Sequence, residues 1–326
     1  RYAVVGAGAI GAFVGASLAR AGAEVVLVAR GPHLTAMRRN GLQVVSPRGD
    51  FHVTPGCTDV CADVDRVDVA IVALKAHQIA PMLPQIAHLV GPETLVVSMQ
   101  NGVPWWYFQR HGGPLDGTAL ASVDPGGVLA AAFDPDRVVG CAVYCSTEIT
   151  SPGIVRHIEG TRYVLGHPSG AISRRLEAVA ADFVRGGLKA PVTDRIRTDV
   201  WTKLLGNVCF NPLSALTRST LGELAGDPLL APTVYGMMRE ALAVAEALGV
   251  TVDVSIERRI DGAQRVGDHK TSTLQDLEAG RPLEIDCIIG AVVELGDLLG
   301  VDVSTTRHVY GLTKMLDRSL RKPAAA

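Results

Sequence analysis

Short apolar runs alternate with helical patterns along the first half of the chain. A helical pattern that ends at Ala21-Gly22 follows the first run, and polar residues around 47–50 predict a hairpin over 43–53. Strands that alternate with helices are typical of an α/β domain with a parallel sheet. The runs with the length and continuity of buried strands are residues 2–5, 24–29, 68–74 and 94–99.

The pattern changes near Asp194. Before it, strands are predicted at 119–123, 137–146, 162–165 and 190–193, with an amphipathic helix at 172–184. After it, the pattern is helical only, at 195–215, 228–248, 254–265, 274–279, 285–299 and 305–316. The sequence therefore predicts a Rossmann-type parallel-sheet domain at 1–194, followed by an all-helical domain at 195–326 that ends in a short low-complexity tail at 322–326.

Composition and charge narrow the class of protein. The 326 residues carry a net charge of −2 and are 48% hydrophobic. The chain therefore lacks the excess of positive charge that is typical of proteins that bind nucleic acid or an acidic membrane surface. No apolar run reaches membrane-spanning length, and the opening RYAVVG is interpreted as a strand and not as a signal peptide. We therefore expect a cytoplasmic protein.

The six cysteines include two C-x-x-x-C pairs, at 57–61 and 141–145. The second pair falls in a predicted strand, where residues four apart share a face. No histidine stands at ligand spacing, so reduced structural thiols and no metal site are expected.

A glycine motif, Gly6-Ala7-Gly8-Ala9-Ile10-Gly11, stands between the first strand and the first helix. In this context Gly6 permits the tight turn, Gly8 permits close approach of a pyrophosphate, and Gly11 permits close helix packing. The helix start at Ala9 and Ile10 offers free amides to phosphates. A glycine-rich turn without a ligand is the alternative.

The end of the second strand indicates which dinucleotide is bound. An NAD site usually has Asp or Glu there to hold the ribose 2′-hydroxyl, whereas this chain has Arg30. A guanidinium suits a 2′-phosphate, so the sequence predicts NADP(H) with Arg30 as the main contact. Arg38 and Arg39 are interpreted as a solvated helix face.

Polar residues follow two further strands. Lys75 and Asn101 stand at carboxyl ends, where open α/β sheets bind ligands, although a loop or cap role is the alternative for each. The aromatic run at 105–108 is a hydrophobic plug between domains or a pocket rim, and the plug is preferred. His157 lacks a nearby carboxylate and is interpreted as structural.

The helical pattern at 195–215 carries Lys203, Asn207 and Asn211 at a step of four, hence in one row on one face. A row of one ammonium and two amides on an otherwise apolar helix indicates that this face lines a binding cleft. The alternative is a snorkelling lysine with two surface amides. Farther along the chain, the ordinary interpretation of Ser272 is a cap for the helix predicted at 274–279. That of Glu284 is a favourable charge at the start of the next helix.

Together these segments resemble the ketopantoate reductase (2-dehydropantoate 2-reductase) family over nearly the whole chain. The motifs that carry the resemblance are GAGAIG with Arg30, Leu-Lys-Ala at 74–76, Gln-Asn-Gly at 100–102, Trp-x-Lys-Leu-x-x-Asn-x-x-x-Asn-Pro-Leu at 201–213, and Ser-x-Leu-Gln-Asp at 272–276 leading to Glu-Ile-Asp at 284–286.

The resemblance implies an NADP-dependent oxidoreductase that reduces 2-dehydropantoate to pantoate in pantothenate biosynthesis, with its active site between the two domains. Lys203 would be the general acid and Glu284 would hydrogen-bond the substrate oxygen region. Asn207, Asn211 and Ser272 would hold the substrate carboxylate or hydroxyl. Asn101 and Lys75 would lie near the nicotinamide ribose and the reacting centre.

Four residues, at three places in the chain, depart from the family pattern. His269 and Leu221 stand where asparagine is found, and Trp105-Trp106 replaces smaller polar residues. These departures favour, as an alternative, a reductase of a bulkier carbonyl or imine substrate, and a non-catalytic NADPH-binding sensor is a further alternative. The sequence is silent on oligomeric state and leaves a homodimer open.

Overall fold

The computed structural model describes residues 1–321, so the predicted tail at 322–326 lies outside the described residues. Its strands are β1 Tyr2–Val5, β2 Val25–Val28, β3 Leu42–Val45, β4 Phe51–Val53, β5 Gly56–Thr58, β6 Val69–Val72, β7 Leu95–Ser98, β8 Val138–Ser151 and β9 Ile154–Gly166. Its helices are α1 Ala9–Arg20, α2 Gly31–Asn40, α3 Ala76–Leu89, α4 Val128–Ala132, α5 Arg174–Arg185, α6 Ile196–Thr217, α7 Leu221–Gly226, α8 Ala231–Ala247, α9 Ile256–Val266, α10 Ser272–Glu278, α11 Ala291–Leu299 and α12 Ser304–Leu320.

The chain folds into two compact units. The first contains residues 1–119 and 127–196, and the second contains residues 120–126 and the chain from residue 197 onward. The strands all belong to the first unit, whereas the second is built from helices. This is the predicted fold class, an α/β half followed by a helical half.

The strands of the first unit form one sheet in the order β4-β3-β9-β8-β7-β6-β1-β2-β5. Strands β7, β6, β1, β2 and β5 pair in parallel, and antiparallel hairpins β3–β4 and β8–β9 complete the sheet. Val5 pairs with both Val28 and Val72, so these strands end level with one another. Their carboxyl ends therefore form one edge, where a parallel sheet binds ligands.

The predicted strand at 119–123 is wrong. Residues 120–126 form turns and group with the second unit. The amides of Ala121 and Ser122 donate to the carboxylate of Glu294 on α11, at 2.7 and 2.8 Å. Because those amides already have acceptors, they do not enter a sheet.

Other differences concern length. Strands β8 and β9 are much longer than predicted and meet at a turn where Gly153 has a φ of +80°. The run at 190–193 contributes only an isolated bridge, Leu165 to Val192. The predicted helix at 285–299 begins as a π-helical segment, Asp286–Gly290, before α11. Strand β5 and helices α3, α4 and α7 were not predicted.

The aromatic run at 105–108 lies in the core. Trp105 and Trp106 are 4% and 1% exposed, and the Trp105 ring lies 5.0 Å from that of Phe133. A Cβ on Gly140 would overlap the Trp106 ring, so this glycine makes room for the indole. The tryptophans are interior residues and not a pocket rim.

His157 has the structural role that was predicted. It is 2% exposed and stacks on Phe13 at 4.6 Å. Its Nε2 donates to the carbonyl of Gly160 at 2.6 Å, so Nδ1 accepts from the hydroxyl of Ser46 at 2.9 Å. Both ring nitrogens therefore have structural partners, one within β9 and the other in the residue that follows β3.

Across residues 1–321 there is no helix with both the length and the apolarity needed to cross a bilayer.

We expect Gly140→Ala to destabilise the protein by about 1–3 kcal/mol, because overpacking a tight core displaces side chains and backbone. Besides the Trp106 ring, the new methyl group would lie 2.9 Å from Cγ1 of Ile196. Urea unfolding followed by tryptophan fluorescence measures the loss.

Gly262→Ala is the matched control. Gly262 lies inside α9 and a Cβ there meets no atom within 4 Å. This variant should gain up to about 1 kcal/mol from helix propensity. Equal stability of Gly140→Ala and wild type would contradict the packing account.

Candidate active site

The glycine motif forms a close backbone contact between β1, α1 and the residues after β6. Gly6 has a φ of +93°, and a Cβ there would lie 2.9 Å from the carbonyl oxygen of Ala73. A Cβ on Gly11 would overlap the carbonyl oxygen of Gly6. At Gly8, by contrast, a Cβ meets no atom within 4 Å, so the space in front of this residue is open.

The start of α1 suits an anion. Helix α1 begins at Ala9 with Gly8 as its N-cap, and neither a capping side chain nor an acidic residue neutralises its first turn. The amides of Ala9 and Ile10 lie among the first four of the helix, which have no acceptor within it. Free amides and the positive end of the helix dipole together favour a phosphate group.

Arg30 follows β2, one strand away from the glycine motif. It is exposed, begins α2 as its N-cap and has no ion pair or hydrogen bond within residues 1–321. Arg38, in contrast, donates to Asp59 and to the Cys57 carbonyl, each at 3.1 Å. Arg30 is therefore available to a ligand, and Arg38 ties α2 to the strand beside it.

Lys75 and Asn101 follow the neighbouring strands on the other side of β1. Lys75 is half-buried at the start of α3, where its amide donates to Gln78 at 3.3 Å. Asn101 is half-buried after β7, beside Gly102 with a φ of +74°. The order β7-β6-β1-β2 thus sets Asn101, Lys75, the glycine motif and Arg30 along one edge, about 5 Å apart per strand.

These residues fit a phosphorylated dinucleotide. The open space at Gly8 and the uncapped helix start suit a pyrophosphate, and Arg30 supplies an unpaired guanidinium one strand away. No acidic residue stands at the end of β2, where an NAD site would have one.

The second unit carries the polar row on α6. Its apolar neighbours Trp201, Leu204, Leu205 and Val208 are at most 1% exposed. Lys203 and Asn207 are half-buried, and Asn211 is 6% exposed. The predicted helix is confirmed, and the row passes from half-buried positions at Lys203 and Asn207 to a buried one at Asn211.

Ser272 is exposed at the first position of α10. The cap of this helix is the preceding residue, Thr271, whose hydroxyl accepts from the amide of Leu274 at 3.2 Å. Thr271 also hydrogen-bonds Ser214 of α6, and Ser214 in turn donates to the carbonyl of Asn211 at 2.9 Å. Capping by Thr271 leaves the Ser272 hydroxyl for other contacts, and these bonds fasten its helix to the end of the polar row.

Glu284 is half-buried in the segment that joins α10 to the π-helical turn. The amide of Leu283 donates to Asp317 at 2.9 Å on one side. On the other side, Asp286 accepts from Tyr310 and Lys314, each at 2.6 Å. These contacts with α12 hold the backbone on both sides of Glu284, and sequence reasoning did not find them.

Leu221 and His269, the two residues of the helical half that depart from the family pattern, are neighbours in the structure. The amide of Leu221 donates to the carbonyl of His269 at 3.0 Å, and that of Gly222 donates to Gly267 at 2.9 Å. The start of α7 is therefore joined to the residues that follow α9.

Comparison with known proteins gives the family. Residues 2–105 match the family described as Ketopantoate reductase PanE/ApbA, and residues 195–317 match Ketopantoate reductase PanE/ApbA C terminal. The 2-dehydropantoate 2-reductase of Mesorhizobium japonicum is 46% identical over 317 residues, which cover 97% of each chain. That of Halobacterium salinarum is 31% identical over 98% of this chain and 99% of its own.

Solved structures agree with this likeness. A protein of Ralstonia solanacearum MolK2 is 39% identical, covers 98% of each chain and superimposes with a TM-score of 0.92. The PanE/ApbA family ketopantoate reductase of Ralstonia eutropha JMP134 is 28% identical over 98% of this chain and 99% of its own, with a TM-score of 0.85. The chain therefore belongs to the ketopantoate reductase family.

Proposed function

We propose that this protein reduces 2-dehydropantoate to pantoate with NADPH, as a step of pantothenate biosynthesis. The observation that carries the proposal is the row on α6, where Lys203 stands with two amides at half-buried and buried positions of a largely apolar helix. Polar side chains in such surroundings usually have a hydrogen-bonding or functional role. The 46% identity to the Mesorhizobium reductase supports the same reaction.

Residues 1–194 are proposed to bind the cofactor. Gly6, Gly8 and Gly11, with the amides of Ala9 and Ile10, would hold the pyrophosphate, and Arg30 would pair with the 2′-phosphate. Lys75 and Asn101 would contact the nicotinamide ribose, from strand ends that share an edge with the glycine motif. The hydride for the reduction is what NADPH supplies when it is bound.

Residues 195–326 are proposed to hold and protonate the substrate. Addition of hydride to a keto carbon builds negative charge on its oxygen, and the Lys203 ammonium would stabilise that charge and then donate the proton. Glu284 would hydrogen-bond the same oxygen region. Asn207, Asn211 and Ser272 would bind the hydroxyl or carboxylate, and Asn101 is a further candidate for substrate binding.

The alternative substrate is a bulkier 2-oxo acid or another carbonyl or imine compound. Its support is the pair formed by His269 and Leu221, which replaces two family asparagines at one place. Trp105 and Trp106 are buried, so they give no support to a bulkier substrate. A cytoplasmic location and a homodimer stay predictions; sedimentation of the purified protein tests the second.

The proposed reaction is tested with wild type and Lys203→Met together. Wild type should give its highest kcat/KM with 2-dehydropantoate among a panel of 2-oxo acids, measured by NADPH oxidation. Lys203→Met should lower kcat by about 10²–10⁴-fold, the usual contribution of a general acid, without changing the Kd of NADPH. Methionine has about the length of the lysine side chain but lacks its charge and the ammonium proton that would be donated.

Lys189→Met is the control, because Lys189 is exposed in the first unit. It should leave kcat unchanged. Full turnover by Lys203→Met would contradict the mechanism, and a low rank for 2-dehydropantoate would favour the bulkier substrate. NADPH binding without turnover of any carbonyl compound would favour the sensor.

Arg30→Gln tests the cofactor assignment. Loss of a charge-assisted pair with the 2′-phosphate should raise the KM for NADPH by about ten- to hundred-fold and leave that for NADH unchanged. The ratio of kcat/KM for the two cofactors reports the effect directly.

Arg39→Gln is the matched control, since Arg39 is an exposed arginine in the last turn of α2. It should keep the wild-type preference for NADPH. If Arg30→Gln also keeps that preference, another residue recognises the phosphate and the assignment fails.

A further inference from the structure

A guanidinium lies against α6 beside the polar row. Arg259 of α9 reaches α6 at Gly206, where a Cβ would overlap both Nε and Nη2 of the arginine. Gly206 is three residues after Lys203, so the guanidinium lies on the face of α6 beside Lys203. A glycine inside a helix is less favourable than alanine, and here it lets the arginine approach the helix backbone closely.

Within residues 1–321, the Arg259 guanidinium has no hydrogen-bond acceptor. Its side chain is half-buried, its Nε is fully buried, and over residues 1–321 it makes neither a hydrogen bond nor an ion pair. Some arginines of the second unit do pair with carboxylates, as Arg281 does with Asp276 at 3.0 Å. A buried donor without an acceptor is costly, which indicates that an acceptor comes from outside the chain.

The nearest thiol does not supply the missing negative charge. Burial raises the pKa of Cys209 to about 12, although the charge of Arg259 acts in the opposite direction. The thiol is therefore neutral at physiological pH, and its Sγ already donates to the carbonyl of Gly206 at 3.4 Å. The planar donor fork of an arginine is matched best by a carboxylate.

We propose that Arg259 binds the carboxylate of the 2-oxo acid substrate, an inference that rests on the proposed reductase function. In a 2-oxo acid the carboxylate is bonded to the keto carbon, so its binding group must lie close to the donor of the proton. Positions three apart on a helix have Cβ atoms about 5–6 Å apart, which suits neighbouring groups of one small molecule. The amides of Asn207 and Asn211 are then left for the hydroxyl.

The test compares Arg259→Met with wild type. The KM for the oxo acid and the Kd of pantoate on the NADP⁺-loaded protein should both rise about ten- to hundred-fold, the worth of one charged hydrogen-bonded pair. The Kd of NADPH should not change. The rise in KM caused by Arg259→Met should vanish when the substrate is the carboxamide of the same oxo acid, because its charged carboxylate is gone. If Arg259 had only a structural role, the substitution would raise the KM for both compounds.

Two further variants test the geometry. Gly206→Ala keeps the charge but displaces the guanidinium from α6, so the KM for the oxo acid should rise in the same direction. Arg259→Lys keeps a charge without the fork and should fall between wild type and Arg259→Met. Arg258→Met removes an exposed arginine of the same helix and should leave every constant unchanged.

Each possible result either supports or overturns the inference that Arg259 binds the substrate carboxylate. If wild type is active and Arg259→Met keeps its KM, the inference fails while the reductase function stands. A raised Kd for NADPH alone would assign the guanidinium to the cofactor and overturn the proposal. If Arg259→Met does not fold, unchanged KM values for Arg259→Lys and Gly206→Ala overturn it. If wild type neither reduces nor binds any oxo or hydroxy acid, the function and the inference fail together.

Discussion

Burial of α6 is the constraint on which the helical half depends. Trp201 and its apolar neighbours pack into the core, so this helix tolerates polar side chains only on a narrow strip. Lys203 and Asn207 occupy that strip, and the bond between Thr271 and Ser214 fastens α10 to the same helix. The helix therefore supplies polar groups of its own and also fixes the position of Ser272.

The parallel sheet imposes a second constraint. Its strands end level, and Gly6 and Gly11 allow α1 to begin directly against the backbone of β1 and of the residues after β6. The helix amides then face the edge where Arg30, Lys75 and Asn101 also stand. Because the need for small residues in the turn and the positions of the strand ends are local features, the sequence alone was enough to predict the glycine turn, the start of α1 and the strand ends beside it.

Contacts between distant residues could not be predicted in this way. The segment at 119–123 has the apolar pattern of a strand, but Glu294, far along the chain, binds two of its amides. Pro81 and Pro84 interrupt the helical pattern of α3, which forms nevertheless with its apolar residues Ile79, Ile86 and Leu89 buried. Gly206 was a signal that was missed, since a glycine inside a long apolar helix needs a reason.

In the proposed reaction, Lys203 of α6 would protonate the carbonyl oxygen, and NADPH would supply the hydride to the keto carbon. The most direct measurement is to supply NADPH deuterated at the transferable position of its nicotinamide with 2-dehydropantoate, and to analyse the product by NMR. The account predicts pantoate with deuterium on the carbon that bears the new hydroxyl. Pantoate without deuterium, or cofactor oxidation without pantoate, would contradict it.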